Sequence, residues 1–589
     1  MADHKKISRR QALGVALAGG TAANLVSTTH AESVNAQISW DLEADTVCIG
    51  SGAASLAAAS TAATGGASVI VLEKAAVLGG TTAKSGAVIW IPNHFGLKAR
   101  GIADPREACI QFLSRYAFPT LYSPDASYFG LSEFDYERIA AFYDNGSKAV
   151  DFFRAQGIFQ LAEWRMWGLD QPAVDYLEHV PENMTPMGRP LAAVDEEGTF
   201  CWGIGMVQQM VAFLNKRKVP ILIEHAVKEL LTDATGAVIG VLVETPEGLK
   251  RIRGRQAVIV ATGGYAHNTD MIQRYQEVFA YGSCAMPSSQ GDFIPLAGRV
   301  GAQMGNLHGA WRCGVVLEQA LENRSVGTGL FVPPGDSILL VNRFGQRFVN
   351  EHRNYNDRSR SHATFDPNRV EFPNEFQFMI YDRRIVETVG EQNGQPPIKP
   401  TESYVISGQT LQGLARNIAA RVEALAPRIG GYELDPSFVG NLESTVHRFN
   451  QHAVVGYDPD FGRGELPYDN AWQQLWALPT YTETYPANPY PNLSLHPFAA
   501  EGPYYAVILA PGLLDTNGGP LTDSSARVVD KDFQPIPGLY GAGNCICAPT
   551  RNAYAGAGGT LGPALTYGYI AGKHALTRTT VEAAGRNVR

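Results

Sequence analysis

One short stretch constrains this chain more than any other. The apolar run Asp45-Thr46-Val47-Cys48-Ile49 breaks at once into Gly50-Ser51-Gly52-Ala53-Ala54-Ser55. An alanine-rich segment, Leu56 to Thr64, reads as a helix, and the next apolar run, Ser68 to Leu72, ends in Glu73. Strand, glycine turn, helix and second strand, closed by an acid about twenty residues on, make up the βαβ unit that binds dinucleotides. The first glycine permits the tight turn, and the second lets the backbone approach a pyrophosphate. Ser55 stands at the third glycine position and is small enough for close helix–strand packing. The start of the helix offers free N–H groups to a diphosphate, and Glu73 is placed to accept hydrogen bonds from ribose hydroxyls. A glycine-rich turn alone says little; the four parts in register make the reading specific.

NAD and FAD both use this unit, and three later segments favour FAD. Gly79-Gly80-Thr81-Thr82 follows the acid closely, as in flavoproteins that wrap a second loop around the ribityl and phosphate region. Val258-Ile259-Val260-Ala261-Thr262-Gly263-Gly264 reads as a strand returning beneath the cofactor. Gly538-Leu539-Tyr540-Gly541-Ala542-Gly543-Asn544 is a further strand-to-turn motif, followed by a helical pattern from Gly562 to Leu576. A cofactor longer than NAD needs such a C-terminal segment to complete its site.

Composition bounds the rest. With 589 residues, 45% hydrophobic and 18% charged, the chain can bury a large core in more than one domain. A net charge of −9 without a basic stripe argues against nucleic acid as a partner. The seven cysteines are scattered and odd in number, so no disulfide framework is implied. Cys545 and Cys547 read as small hydrophobes in a packed turn; their spacing is not that of a zinc site, and no metal set is expected. At the N-terminus, Ser8-Arg9-Arg10-Gln11-Ala12-Leu13 precedes a weakly apolar run from Gly14 to Val26, with small-residue cleavage points around Thr29 to Ala31 and Val34 to Ala36. Paired arginines before such a run resemble a twin-arginine export signal, which implies a periplasmic or secreted protein; a plain N-terminal tail would leave it cytoplasmic. No later run is apolar enough to span a bilayer, so stable membrane insertion is not expected.

Taken in order, Gly50-Ser51-Gly52, Glu73-Lys74, Gly79-Gly80-Thr81, Ala261-Thr262-Gly263-Gly264 and Gly541-Ala542-Gly543 resemble the flavoprotein superfamily of fumarate reductases, succinate dehydrogenase flavoprotein subunits and 3-ketosteroid dehydrogenases. Three stretches are similar to the steroid branch: Ser85-Gly86-Ala87-Val88-Ile89-Trp90-Ile91-Pro92, Phe461-Gly462-Arg463-Gly464 and Asn552-Ala553-Tyr554-Ala555-Gly556-Ala557-Gly558. The resemblance implies an α/β fold: a Rossmann-like FAD-binding domain with an inserted α+β cap that carries the substrate. It places FAD contacts on Gly50, Gly52, Ala53, Ala54, Ser55, Glu73 and Lys74. Further contacts fall on Gly80, Thr81, Thr82, Ser85, Gly86, Val227, Ala261, Thr262 and Gly263, and near the C-terminus on Gly543, Asn544, Gly559 and Leu561. No His stands between Gly79 and Gly86, where covalent-flavin members carry one, so the FAD is expected to be non-covalent.

Desaturating a carbon–carbon bond beside a ketone requires a polarised carbonyl, a base for the α-proton, and a flavin N5 to take the hydride. By resemblance, Tyr554 and the backbone N–H of Gly558 stabilise the enol oxygen, and Tyr355 is the base. His352, Arg353 and Arg358 are close to it in sequence. The competing reading of Tyr355 is a surface or interface tyrosine; that of Tyr554 is a packed aromatic over the flavin. The position of a third family tyrosine, which assists the base, aligns with Leu177, with Tyr176 one residue before; desaturation at C1–C2 and at C4–C5 both stay open. The rival reading is a fumarate-reductase-like enzyme acting on an unsaturated carboxylate. That branch's Asn-Arg-Leu-Gly-Gly-Asn segment is replaced here by the Tyr554 turn, and Arg551 reads as a loop or phosphate contact. A flavin-binding sensor without turnover is a third reading, disfavoured by a full second domain. The expected plan is a signal segment over 1–37, FAD-binding parts over 38–285 and 488–589, and a cap over 286–487. It includes a hairpin around Ile221 to Ile252, helices over Leu414 to Ala426 and Leu442 to Val455, and a Pro-rich linker from Ala487 to Pro497. The expected partners are a steroid-like small molecule and an external electron acceptor such as a quinone, since no second dinucleotide unit for NAD is present.

Overall fold

The computed structural model describes residues 39–166, 171–389, 395–476 and 488–578. The expected export segment lies outside the described residues. Two sheets organise the chain from Trp40 onward.

The first is eight-stranded. At its centre lie β1 (Leu42–Ile49), β2 (Val69–Leu72), β3 (Gly248–Val260) and β4 (Pro535–Gly541), all parallel, with Ile221–Leu222 beyond β2. Leu539, Val258, Val47 and Ile70 form one row across them. Their C-terminal halves are buried, as expected of parallel strands covered on both faces. Helix α1 (Ala53–Thr64) runs between β1 and β2, buried on every side. That is why it is built of alanine and serine: any larger face would meet either the sheet or α2 (Leu561–Ala575), which crosses it. A Cβ at Gly568 or Gly572 of α2 would run into the carbonyl oxygens of Ala54 and Ala58. The expected hairpin is present as Ala226–Thr232 and Val238–Thr245, continued antiparallel into the first half of β3. Its turn is closed by the Asp233 carboxylate, which accepts N–H bonds from Thr235 (2.8 Å) and Ala237 (3.1 Å).

The second sheet is six-stranded and centred on the long strand Tyr504–Thr516. Ala310–Val316, Gln377–Asp382 and Ile406–Gly408 pair with it antiparallel, and Gly282–Ser283 pairs parallel. The sheet thus takes strands from both sides of the expected 286–487 range. Two of its covering helices are Leu411–Leu425 and Phe438–Val455. Each begins three or four residues before the expected start, at Leu411 and at the buried Phe438. Thr410 caps the earlier one, accepting the Gly413 N–H at 3.0 Å. Of the Pro-rich stretch, residues 488–497 are irregular but packed: Leu495 is buried, and the Asn488 amide donates to the Asp336 carboxylate (3.1 Å) and Leu495 carbonyl (2.9 Å). Each sheet has its own large apolar core. Among the described residues no helix is long and apolar enough to cross a membrane.

Candidate active site

A cleft is lined by the C-terminal ends of β1, β2 and β3, the usual ligand edge of a parallel sheet. Gly50, Gly52, Ala53 and Ala54 line it from the first turn, and Glu73 and Lys74 from the end of β2. Gly80, Thr81, Thr82 and Ser85 enter from the second loop, Val227 from the hairpin, and Ala261, Thr262 and Gly263 from beyond β3. Gly543, Asn544 and Leu561 close the far end. Three expected contacts do not line it. Ser55 lies fully buried one residue deeper in α1; Gly86 stands past the second loop; the Gly559 N–H is spent on the Gly556 carbonyl (2.9 Å).

The geometry fits FAD. The N-terminus of α1 has no side-chain cap, and only Ala53 N–H is drawn off, to Thr82 Oγ1 at 3.0 Å. Gly50 has φ +100°, and a Cβ there would strike the Ala261 carbonyl, so glycine is required by the neighbouring strand as well as by the turn. Glu73 is buried, with room for ribose on a carboxylate already held in place. Ser51 does the holding, and sequence reasoning gave it no role: its hydroxyl donates to Glu73 Oε2 (2.6 Å) and accepts the Gly79 N–H (2.8 Å). The other Glu73 oxygen accepts the Ala75 N–H at 2.8 Å. Lys74 pairs with Asp292 across the cleft at 2.5 Å.

Asp292 and Asp515 are cleft residues that the sequence did not disclose. Asp515 is fully buried, and burial pushes its carboxyl up to about 6 against hydrogen bonds from the N–H groups of Gly264 (3.0 Å) and Thr516 (2.9 Å). A lone acid inside an apolar strand was the available signal.

Beside this cleft, three segments far apart in the chain bring Tyr176, Tyr355 and Tyr554 together. Tyr176 stacks on Tyr554 with ring centroids 5.4 Å apart, and Tyr355 meets both edge-on at 5.6 and 5.4 Å. Leu177 turns away to the first core. Tyr468, unnoticed in the sequence, packs on Tyr176 at 5.2 Å, and Trp311 on Tyr554 at 5.4 Å. Trp311 Nε1 in turn donates to Asn544 of the cleft at 3.1 Å, linking the two regions. The Tyr554 loop is pinned where its backbone carbonyls accept N–H bonds: Gly558 from Trp90 (3.1 Å) and Ala555 from Tyr176 (2.9 Å). Gly558 itself is buried at φ +87°, tight against the backbone of Val88 and Ile89. Its N–H has no partner among the described residues.

The electrostatics separate the phenols. Burial, then the neighbouring Tyr176 and Tyr554, push Tyr355 well above the ordinary tyrosine range. Burial raises Tyr554 to about 12, relieved by hydrogen bonding to Tyr355 and Thr560, so it is the better donor. Tyr355 is buried, which removes the surface reading. The cations near it in sequence serve other groups. Arg353 pairs with Glu178 (3.1 Å) and Asp469 (3.2 Å), and Arg358 donates to backbone carbonyls including Leu330 (3.0 Å). His352 lies between Gly335 O (3.1 Å) and Arg463 (2.9 Å). Arg463, from the Phe461–Gly464 stretch, is buried and also reaches Glu351 at 3.3 Å, so that motif anchors the Tyr355 segment. Arg551 stacks on Phe118, 4.1 Å from its centroid, and does not line the cleft. Cys545 and Cys547 are both buried and turn their sulfurs to different neighbours, Val260 O and Arg138.

Comparison with known proteins agrees with this geometry. The family described as FAD binding domain matches residues 45–561. The chain belongs to that family of FAD-dependent oxidoreductases, and its relatives include dehydrogenases of ring ketones and 3-oxosteroids. It is 30% identical to 4-oxocyclohexanecarboxylate 2-dehydrogenase of Sinomonas cyclohexanicum, over 90% of this chain and 92% of the relative. It is 28% identical to 3-oxosteroid 1-dehydrogenase of Mycobacterium tuberculosis, over 90% and 98% respectively. The crystal structure of 3-ketosteroid Δ1-dehydrogenase from Sterolibacterium denitrificans, 24% identical, shares the fold with a TM-score of 0.75 over 91% of this chain and 99% of that one.

Proposed function

We propose that this protein desaturates a carbon–carbon bond next to the ketone of a ring substrate of the 3-ketosteroid type. The observation that carries the reading is the convergence of Tyr176, Tyr355 and Tyr554 beside a buried Gly558 N–H that has no partner among the described residues. FAD, when bound, accepts the hydride from the carbon neighbouring the deprotonated one. The chain does the rest. Tyr554 O–H and Gly558 N–H are the two donors for the ketone oxygen; an oxyanion donor of this kind contributes about 3 kcal/mol to the transition state. Tyr355 takes the α-proton, and Tyr176, in contact with both partners, fixes their positions. The apolar shell of Trp311, Phe331 and Tyr468 excludes water from the developing enolate. The acceptor that reoxidises the cofactor is a quinone-like molecule, and the paired arginines near the N-terminus support twin-arginine export to the periplasm.

The 30% identity to a dehydrogenase named for 4-oxocyclohexanecarboxylate favours a second reading, with the same chemistry on a smaller ring ketone. Carboxylate reduction of the fumarate type is disfavoured, because Arg551 is stacked on Phe118 away from the cleft. A product-resolved assay separates these: FAD-loaded protein is offered saturated and 4-ene 3-oxosteroids, 4-oxocyclohexanecarboxylate and, with reduced dye, fumarate. A new double bond conjugated to a ring ketone is the expected product, and turnover of fumarate alone would refute the reading.

A further inference from the structure

Two acids reach the cofactor cleft from opposite sides of the turn after β1. Glu73, at the end of β2, is the ribose acid. Asp515, near the end of the long strand Tyr504–Thr516, enters from the second sheet. Its Oδ2 accepts the Gly264 N–H (3.0 Å) beyond β3 and lies 3.4 Å from the Asn544 amide beyond β4. The strand order β4, β3, β1, β2 puts these contacts across β1 from Glu73.

A dinucleotide with its diphosphate on the α1 N-terminus and one ribose on Glu73 sends its other half toward β3 and β4. In FAD that half begins with the hydroxylated ribityl chain. Asp515 is built as Glu73 is: it is buried, and backbone N–H groups brace both its oxygens, Gly264 on Oδ2 and Thr516 on Oδ1 (2.9 Å). A carboxylate offers about four acceptor sites, and the other donors to Oδ2, the Ser289 hydroxyl at 3.5 Å and the Asn544 amide at 3.4 Å, are long for hydrogen bonds. Acceptor capacity on Oδ2 is therefore left for a ligand. No cation pairs with Asp515 among the described residues, and burial pushes its carboxyl up to about 6. An acid held against that penalty on a cleft wall points to a ligand. Asn544, also on the wall, is oriented from both ends: its Oδ1 accepts Trp311 Nε1–H (3.1 Å) while its Nδ2 donates to Asp515, which leaves one amide N–H to offer.

We infer that Asp515 and Asn544 form a ribityl clamp, in which the carboxylate accepts hydrogen bonds from the ribityl hydroxyls of FAD and the amide donates one. ADP, which ends at the diphosphate, engages Glu73 and the α1 N-terminus but does not reach the clamp. The inference rests on FAD as the cofactor and stands apart from the reaction proposed above, because it is read as affinity and not as turnover.

The test is a fluorescence titration of FAD, with ADP as competitor, on the FAD-stripped full chain at about pH 8, where Asp515 is ionised. Asp515→Asn should weaken FAD about 10-fold or more and leave ADP unchanged, whereas Glu73→Ala weakens both. FAD analogues lacking one ribityl hydroxyl separate contact from mere support. At least one should bind the parental protein about 10-fold less tightly than FAD, yet match FAD in Asp515→Asn, because the lost partners are the same pair. Equal loss of FAD and ADP in Asp515→Asn, unchanged FAD affinity, or equal parental affinity for every analogue overturns the clamp. If Asp515→Asn fails to fold, the half-buried Asn544 decides: Asn544→Ala should weaken FAD and spare ADP, and equal loss of both refutes the assignment.

Discussion

The cofactor cleft and the tyrosine cluster touch through Trp311 and Asn544, yet they are built on opposite principles. The cleft recognises its ligand with backbone: a helix N-terminus, turns at Gly50 and Gly80, and one buried acid braced by Ser51. Each of these is local, so its spacing in sequence is its geometry in space. The tyrosine cluster recognises with side chains drawn from around residues 176, 355, 468 and 554, held by the second core. Nothing in the spacing of those residues says that they meet. A site made of backbone therefore tolerates change in its side chains but not in its turns, whereas a site made of side chains fails one hydroxyl at a time.

The largest effect expected from this contrast is on the pH dependence of turnover. As the proposed base, Tyr355 would act only when deprotonated, and its burial among phenols raises its pKa above the ordinary value. The active fraction is small at neutral pH and grows as pH rises toward that pKa. Turnover should climb about tenfold per pH unit from pH 7 to 9.5, while FAD affinity, which the cluster does not control, follows no such slope. A flat profile across that range would remove Tyr355 from the role of base.

Next comes Glu73→Ala, which breaks the cleft and spares the cluster. A buried, charge-assisted hydrogen bond contributes about 1.5–3 kcal/mol, so FAD should dissociate roughly 10- to 150-fold more readily. The reloaded variant should then turn over normally at saturating FAD. Unchanged affinity in a fluorescence titration would mean that Ser51 and Ala75, not ribose, are all that Glu73 serves.

These two tests follow what was legible in the sequence. The βαβ unit, the second loop, the hairpin and the return strand were readable because periodicity and glycine placement are local properties. Ser51 was missed because a serine between two glycines carries no signal of its own, and Asp515 because its partners Gly264 and Asn544 are distant in the chain. Tyr355 and Tyr554 were reached through family resemblance. The resemblance pointed to Leu177 as the aligned third position, but the structure puts Tyr176 in the cluster, since the one-residue offset turns a side chain to the opposite face. The cations beside Tyr355 in sequence turned out to brace the segment through Glu178, Asp469 and backbone carbonyls, which adjacency alone could not reveal.

A smaller effect sharpens the boundary of both regions. Deleting residues 1–36 should leave FAD content and turnover of purified protein unchanged and should abolish periplasmic accumulation. Loss of FAD content on truncation would place those residues in the folded unit.

The most direct test of the account is single-turnover bleaching of the flavin by a ring ketone under anaerobic conditions, with a separate binding titration. Tyr355→Phe should bleach at least about 100-fold more slowly while binding substrate and FAD as before. Tyr554→Phe should lose rate more than affinity, because its hydroxyl matters most as charge builds on the ketone oxygen. If both variants bleach at the parental rate, the tyrosine cluster is packing and not catalysis, and the proposed reaction falls with it.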